Sequence, residues 1–211
     1  MQRGYKLTNY VAVAVLLGGC QQQNDRAANP SVSAARPAPA GFECPRPGTR
    51  VAFSEYDVRT YTGVDPSDSF TCTFNNVAGE PGRRLANWFP FPISDEAKIR
   101  EALANVWPLE TGRSVSFVRQ VTNSAGANWQ IRSTFRVLEP QRVEIAGETR
   151  DVILIQLDQE NPQGQWGGYA VRWTIFYDRR SRTPIRGDVE TLRGQGSDRN
   201  YIATSISVPD R

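Results

Sequence analysis

The chain has 211 residues, of which 39% are hydrophobic and 22% charged, and its formal net charge is +3. That length suits one domain with appendages, and acids interspersed among the arginines argue against a nucleic-acid-binding stripe. It contains no histidine, which excludes Ser-His-Asp and Cys-His catalysis and leaves any zinc site dependent on thiols and carboxylates. No P-loop or dinucleotide fingerprint occurs.

Two cations, Arg3 and Lys6, precede an apolar run from Val11 to Leu17, and Gly18-Gly19-Cys20 follows. The run is shorter than the roughly 20 residues a membrane-spanning helix needs, and it has the flanks of an export signal. Small residues at Gly18 and Gly19 let a peptidase approach the backbone. Leu16-Leu17-Gly18-Gly19-Cys20 resembles the lipobox of bacterial lipoproteins. The resemblance implies a signal peptide over 1–19 and a diacylglyceryl, N-acylated Cys20 as the first mature residue. The membrane is then a partner through the lipid, since two or more acyl chains hold firmly where one is marginal. In enterobacterial lipoproteins an Asp after the cysteine favours the inner membrane, so Gln21 implies the outer membrane, with the periplasmic face expected. The alternative is an ordinary cleaved signal with a chance cysteine. Loss of Arg3 and Lys6 with the signal removes two of the three net positive charges.

Residues 20–41 are polar, alanine-rich and proline-rich, without a large hydrophobe. Such a stretch cannot bury enough apolar surface to offset its ordering entropy. It reads as a disordered tether spanning on the order of 25 Å. A β-rich periplasmic domain over 42–211 follows.

That domain holds two cysteines, Cys44 and Cys72. In an oxidising compartment one leftover pair predicts a disulfide; metal ligation is the rival reading. Strand-like runs lie at 50–54, 56–61 and 70–75, separated by the turn chemistry of Gly63-Val64-Asp65-Pro66-Ser67-Asp68. Trp88, Phe89 and Phe91 come next, expected either to fill the gap between helix and sheet or to stack on a ligand.

A helix is predicted over 94–106. Ser94 is placed to cap it and Asp95 and Glu96 suit its positive end. Ile99, Ala102, Leu103 and Val106 recur at helical spacing, and Trp107-Pro108 stops the run. Beyond Pro108 the period becomes two. Trp129, Ile131, Phe135 and Val137 share one face, as do Tyr169, Val171, Trp173, Ile175 and Tyr177. Val152–Leu157 is an apolar strand, and Ile202, Thr204, Ile206 and Val208 alternate near the end. Turns at 123–126, 146–147, 161–164 and 193–196 make this a series of antiparallel hairpins with one solvated face. The fold class is mainly β (α+β): a strongly curved antiparallel sheet or half-barrel with one covering helix. Arg179, Arg180, Arg182 and Arg186 cluster with Asp178, Asp188 and Glu190, as in a salt-bridged turn, and no nucleic-acid partner is expected.

Three phrases carry a second resemblance. They are Cys44-Pro45-Arg46-Pro47-Gly48-Thr49 with Tyr61–Pro66 and Cys72, then Trp107-Pro108-Leu109-Glu110-Thr111-Gly112-Arg113, then Val143–Glu148 followed by Asp151–Ile155. Together with Trp173–Asp178, they are similar to uncharacterised envelope lipoproteins of alphaproteobacteria with a secreted antiparallel-β domain. Thr149 departs from the pattern, where an aromatic is common. The resemblance carries no catalytic residue over.

The remaining chemistry is sparse. Asp65 with Asp68, or Asp158 with Glu160, are the carboxylate pairs a glycosidase would need, and the Asp-rich turn is a distant calcium candidate. No cofactor is expected. Trp129, Trp166 and Trp173 are the candidate ligand-facing aromatics, Trp129 and Trp173 on alternating faces of a curved, concave sheet and Trp166 in a Gly-rich loop. The sequence therefore predicts a non-catalytic envelope lipoprotein that binds an apolar or lipid ligand. An accessory subunit of an envelope protein complex is the alternative, and a carboxylate-dependent hydrolase of cell-wall glycan a remote one.

Overall fold

Alternating apolar and polar residues become strands wherever they occur in quantity. The computed structural model describes residues 35–122, 128–161, 168–194 and 199–210. Cys20 with its signal, and Trp166, lie outside the described residues. In chain order the elements are β1 (Arg50–Ala52), β2 (Val58–Asp65), β3 (Asp68–Asn75), β4 (Pro81–Leu85), β5 (Phe89–Pro90), α1 (Glu96–Val106), β6 (Ser114–Thr122), β7 (Asn128–Ile145), β8 (Glu148–Asn161), β9 (Tyr169–Asp178), β10 (Thr183–Arg193), β11 (Tyr201–Ile202) and β12 (Ser205–Ser207).

The strands form two six-stranded antiparallel sheets, ordered β12-β1-β2-β3-β4-β5 and β11-β10-β9-β8-β7-β6. The mainly-β class with one helix holds, and the strands divide between two sheets that do not close into a barrel. The chain crosses between sheets at Ala203 and Thr204. Ala203 N–H donates to the Ile185 carbonyl (2.7 Å) and Thr204 N–H to that of Ala52 (2.7 Å). The alternation at 202–208, read as one strand, is therefore split between sheets.

Local chemistry sets the long second sheet. Ala146 and Gly147 both take positive φ, 54° and 74°, the conformation of the two-residue hairpin turn that matches strand twist. This fixes the register of β7 on β8, with Ile145 opposite Glu148. The register slips between Val137 and Pro140, which places the proline at a bulge, where its missing N–H breaks no ladder bond.

The helix buries Ile99, Ala102, Leu103 and Val106, as its spacing predicts. Its start differs from the expectation. Asp95, in the left-handed conformation, precedes the first turn, and no side chain caps it. Instead the Asp95 carboxylate accepts from the Gln120 N–H (2.8 Å). Ser94 therefore does not cap the helix, whose first turn is tied to β6 through Asp95. Both sheets and the helix share one core, including Tyr61 and Phe70 from the first sheet, Phe135, Ile155 and Ile185 from the second, and Leu103 from α1.

Cys44 and Cys72 are disulfide-bonded, with Cα atoms 5.5 Å apart. Arg36 and Ala38, in the stretch read as a tether, lie against the start of β3. Arg36 N–H donates to the Ser67 carbonyl (3.1 Å), Ser69 N–H to that of Arg36 (3.0 Å), and Ala38 N–H to Ser69 Oγ (2.9 Å). Phe42 follows and packs edge-on against Phe70 (4.7 Å) and Trp107 (5.1 Å). Hydrogen bonds to a turn and a strand thus fix a polar segment that buries little. The disulfide closes a 28-residue separation, so the Cys44→Ala, Cys72→Ala double variant is expected to lose about 3 kcal/mol. Urea denaturation of the two proteins measures the difference.

Candidate functional site

Aromatic side chains from both sheets meet in an open cleft of about 450 Å³. The second sheet supplies a row set by register. Phe135 lies opposite Leu157, and Leu157 opposite Trp173. Ile175 stands two residues along on the same face. The first sheet supplies Arg59, Arg84 and Phe89, with Phe53 just after β1 and Trp88 between β4 and β5. Trp88 stacks on Phe135 with ring centres 5.3 Å apart. At the crossing between sheets, Tyr201 touches Phe53 at 5.5 Å and Trp173 at 6.1 Å. Gly187 permits this, since a Cβ there would meet the Tyr201 ring at 2.3 Å.

Charge in the cleft is one-sided. Arg59, Arg84 and Arg119 line it together with one carboxylate, Asp57. Asp57 is already engaged by Arg59 through two hydrogen bonds, 3.1 and 2.8 Å, and Arg59 lies over the Phe53 ring at 4.6 Å. Arg84 donates to the Trp88 carbonyl (2.8 Å). Arg119 stands 5.9 Å from the Phe89 ring centre. Neither forms an ion pair among the described residues. The Nε groups of Arg84 and Arg119 and the indole N–H of Trp88 are buried without a hydrogen-bond partner. Burial pushes the Arg84 guanidinium below its ordinary value, and repulsion from Arg59 adds to this. Burial does the same to Arg119. Both remain cations, because arginine stays protonated in proteins. The Tyr201 hydroxyl is pushed up to about 12 by burial, against the opposing pull of Arg59 and Arg84, so it remains protonated in neutral solution.

Of the three tryptophans singled out by sequence, Trp173 lines this cleft. Trp129 is half-buried on β7 opposite Val121 and is not among the lining residues. Trp166 lies outside the described residues. The segment before the helix contributes Trp88 and Phe89 to the wall, while Phe91 sits beneath Arg83, at 4.7 Å from its guanidinium.

The carboxylate pairs are held otherwise. Asp65 accepts from the Ser67 N–H (2.9 Å) and hydroxyl (2.6 Å) and pairs with Arg83 (2.7 Å). Asp68 accepts from Thr71, Arg100 and the Phe70 N–H. Asp158 binds Arg172 (2.7 Å) and Arg136 (3.1 Å), and Glu160 binds Arg132 (2.9 Å). In Asp65, Asp68 and Asp158, burial acts upward, but hydrogen bonds and neighbouring arginines outweigh it and hold each carboxyl below its usual value. A general acid needs the opposite shift.

Asp68 therefore makes acid stability measurable. A carboxylate whose pKa falls on folding contributes stability above its unfolded value of about 4, and that contribution is lost as pH falls through the folded value. Asp68→Asn is expected to be less stable than the parent at pH 7. The gap should narrow as the pH is lowered below about 4, read by urea denaturation at stepped pH.

A larger groove of about 820 Å³ lies at the far end of β8 and β9, lined by Arg142, Arg150, Asp151, Asp178 and Arg180 among others. Its charges pair with one another, Arg142 with Asp151 and Arg150 with Asp178. Its lining is charged and polar apart from Pro140 and holds no aromatic side chain, so the smaller cleft, with its aromatic wall, is the candidate site.

The sequence reading missed the arginines of the cleft. Arg119 carried a legible signal. It occupies the inward phase of Val115, Phe117 and Val121 on β6, where a hydrophobe is expected. Arg84 carried none, because β4 is short and opens Pro81-Gly82.

Fold and site together define a two-sheet β domain with an aromatic, arginine-lined cleft between the sheets. No protein-family model and no curated protein sequence matches the chain. Among solved structures, the hypothetical lipoprotein YmcC from Escherichia coli is similar at a TM-score of 0.42 and 10% identity, over 69% of this chain and 79% of that one.

Proposed function

We propose that this protein is an outer-membrane-anchored lipoprotein, lipidated at Cys20, whose domain holds an apolar ligand of lipid type without transforming it. The observation that carries this reading is the cleft itself. Its volume of about 450 Å³ falls in the ~300–1,000 Å³ range of small-ligand sites, which are concave, mostly apolar and set with a few polar groups. An accessory subunit would present a contiguous exposed apolar patch. The exposed large hydrophobes Tyr56, Val64, Val77, Leu192 and Ile202 come instead from five different strands and loops, which favours the ligand-binding reading.

Two measurements test it. Native mass spectrometry of the protein extracted from membranes is expected to show a bound lipid. A fluorescent apolar probe should bind saturably and lose affinity in Trp173→Asp. Absence of both lipid and saturable probe binding removes the reading. The anchor is tested separately. Cys20→Ser is expected to leave the membrane fraction and to lose incorporation of a palmitate analogue. Equal membrane retention and labelling in variant and parent would refute the lipidation.

A further inference from the structure

We propose that the ligand of the cleft is an anionic amphiphile, a single acyl chain against the aromatic wall with its oxyanion head held by Arg84 and Arg119. This rests on the ligand-binding reading above and names the chemistry of the ligand. Three observations carry it.

First, the charge is uncompensated. Arg84 comes from the first sheet and Arg119 from the second, and both converge on the same short segment. Arg84 donates to the Trp88 carbonyl and Arg119 stands by the Phe89 ring. Neither has a carboxylate partner among the described residues, although the protein pairs Arg83, Arg100, Arg132, Arg136, Arg142, Arg172 and Arg182 with acids elsewhere. Both side chains are half-buried, and charge drawn out of water without a partner is destabilising. Two such cations facing one cleft are therefore placed for something that arrives from outside.

Second, the unsatisfied hydrogen-bonding groups lining the cleft are donors. The Nε groups of Arg84 and Arg119 and the indole N–H of Trp88 lack partners. A donor-only set calls for an acceptor, and an oxyanion accepts several such bonds at once. A neutral ligand such as a diglyceride would supply acceptors without the charge.

Third, apart from Asp57, Arg59 and Gln159, the rest of the lining is apolar and aromatic, from Phe135 and Leu157 to Trp173 and Ile175. A free inorganic anion would leave this wall bare. The volume lies toward the small end of ligand sites, which suits one acyl chain and not two.

Carboxylate and phosphate heads share this chemistry, and the experiment separates them. Delipidated mature protein is titrated with palmitate, palmitate methyl ester, palmitoyl lysophosphatidate, acetate and inorganic phosphate, below the micellar concentration of each amphiphile. An acid is expected to bind about tenfold or more tightly than the ester, as a charged hydrogen bond implies. Whichever of palmitate and lysophosphatidate binds better identifies the head. Arg119→Gln should weaken the better acid by about tenfold and leave the ester unchanged. Arg84→Gln should behave alike, but it also frees the Trp88 carbonyl. The acid-to-ester ratio on unsubstituted protein therefore decides without any variant. Equal binding of acid and ester overturns the charged head while leaving the apolar-ligand reading standing. Binding of acetate or phosphate as tightly as the amphiphiles overturns the acyl chain. Failure of every amphiphile removes the underlying reading as well.

Discussion

Phe135→Ala is expected to destabilise the domain by about 3–5 kcal/mol, the range for truncating a buried phenylalanine. Phe135 is 1% exposed. It lies near-parallel between two rings, Trp88 at 5.3 Å and Phe117 at 6.1 Å, with Phe89 tilted against it at 6.2 Å. Its loss removes dispersion contacts on both faces. The neighbours cannot collapse freely, because β7 is fixed by β6 on one side and β8 on the other. At this chain size each kcal/mol moves the melting temperature by about 2–4 °C, so a fall of roughly 6–20 °C should appear in a thermal melt. Phe135→Leu retains half the contact and should fall between. A loss under about 1 kcal/mol, typical of surface substitutions and not of cavities, would show that the three rings do not pack as described.

Phe135 also shows what the sequence made legible. Its place among Ile131 and Val137 on one face follows from strand period alone, and so do the buried positions of α1. The Ala146-Gly147 hairpin follows from turn chemistry. What could not be read is where strands divide. The alternation at Ile202, Thr204 and Ile206 is continuous in sequence, yet Ala203 and Thr204 hand the chain from one sheet to the other. Period two specifies a face and says nothing of which sheet owns it. The docking of Arg36 and Ala38 was hidden for a related reason. Hydrogen bonds of their backbone groups hold them, and those leave no trace in the apolar pattern.

The candidate site was legible in part. Trp173 reaches the cleft because the inward phase of β9 carries it there. Trp129 obeys the same phase on β7 but lies six residues from Phe135, out of reach of the lining. Facing inward was therefore necessary and not sufficient. The arginines show the complementary failure. A charge on an apolar phase, as at Arg119, breaks the local rule, and such breaks mark functional positions. Reading for consistency alone passed over it. In the cleft Arg84 and Arg119 stand without a carboxylate partner among the described residues, while Arg132, Arg136 and Arg172 form a ladder with Asp158 and Glu160 on β7, β8 and β9.

The second large effect concerns a buried pair with no part in the cleft. Arg150 and Asp178 have side chains only 4% and 1% exposed, and Arg150 Nη1 lies 3.4 Å from the Asp178 carboxylate. Asp178 also accepts the Ser181 N–H at 2.9 Å, and Glu148 engages the other end of the guanidinium at 2.6 Å. Asp178→Ala strips the buried cation of its one buried carboxylate partner and the turn of its acceptor, so the loss should reach about 3 kcal/mol, the low end for breaking a buried pair because Glu148 remains. Asp178→Asn keeps the turn acceptor and removes only the charge, and should lose less. Adding Arg150→Met to Asp178→Ala should restore part of the stability, because an apolar side chain of similar length needs no counter-ion. In urea denaturation that recovery appears as a coupling of about 0.5–3 kcal/mol between the two sites. Strictly additive losses would show that Glu148 alone neutralises Arg150, and that Asp178 serves the β9–β10 turn and not the ion pair.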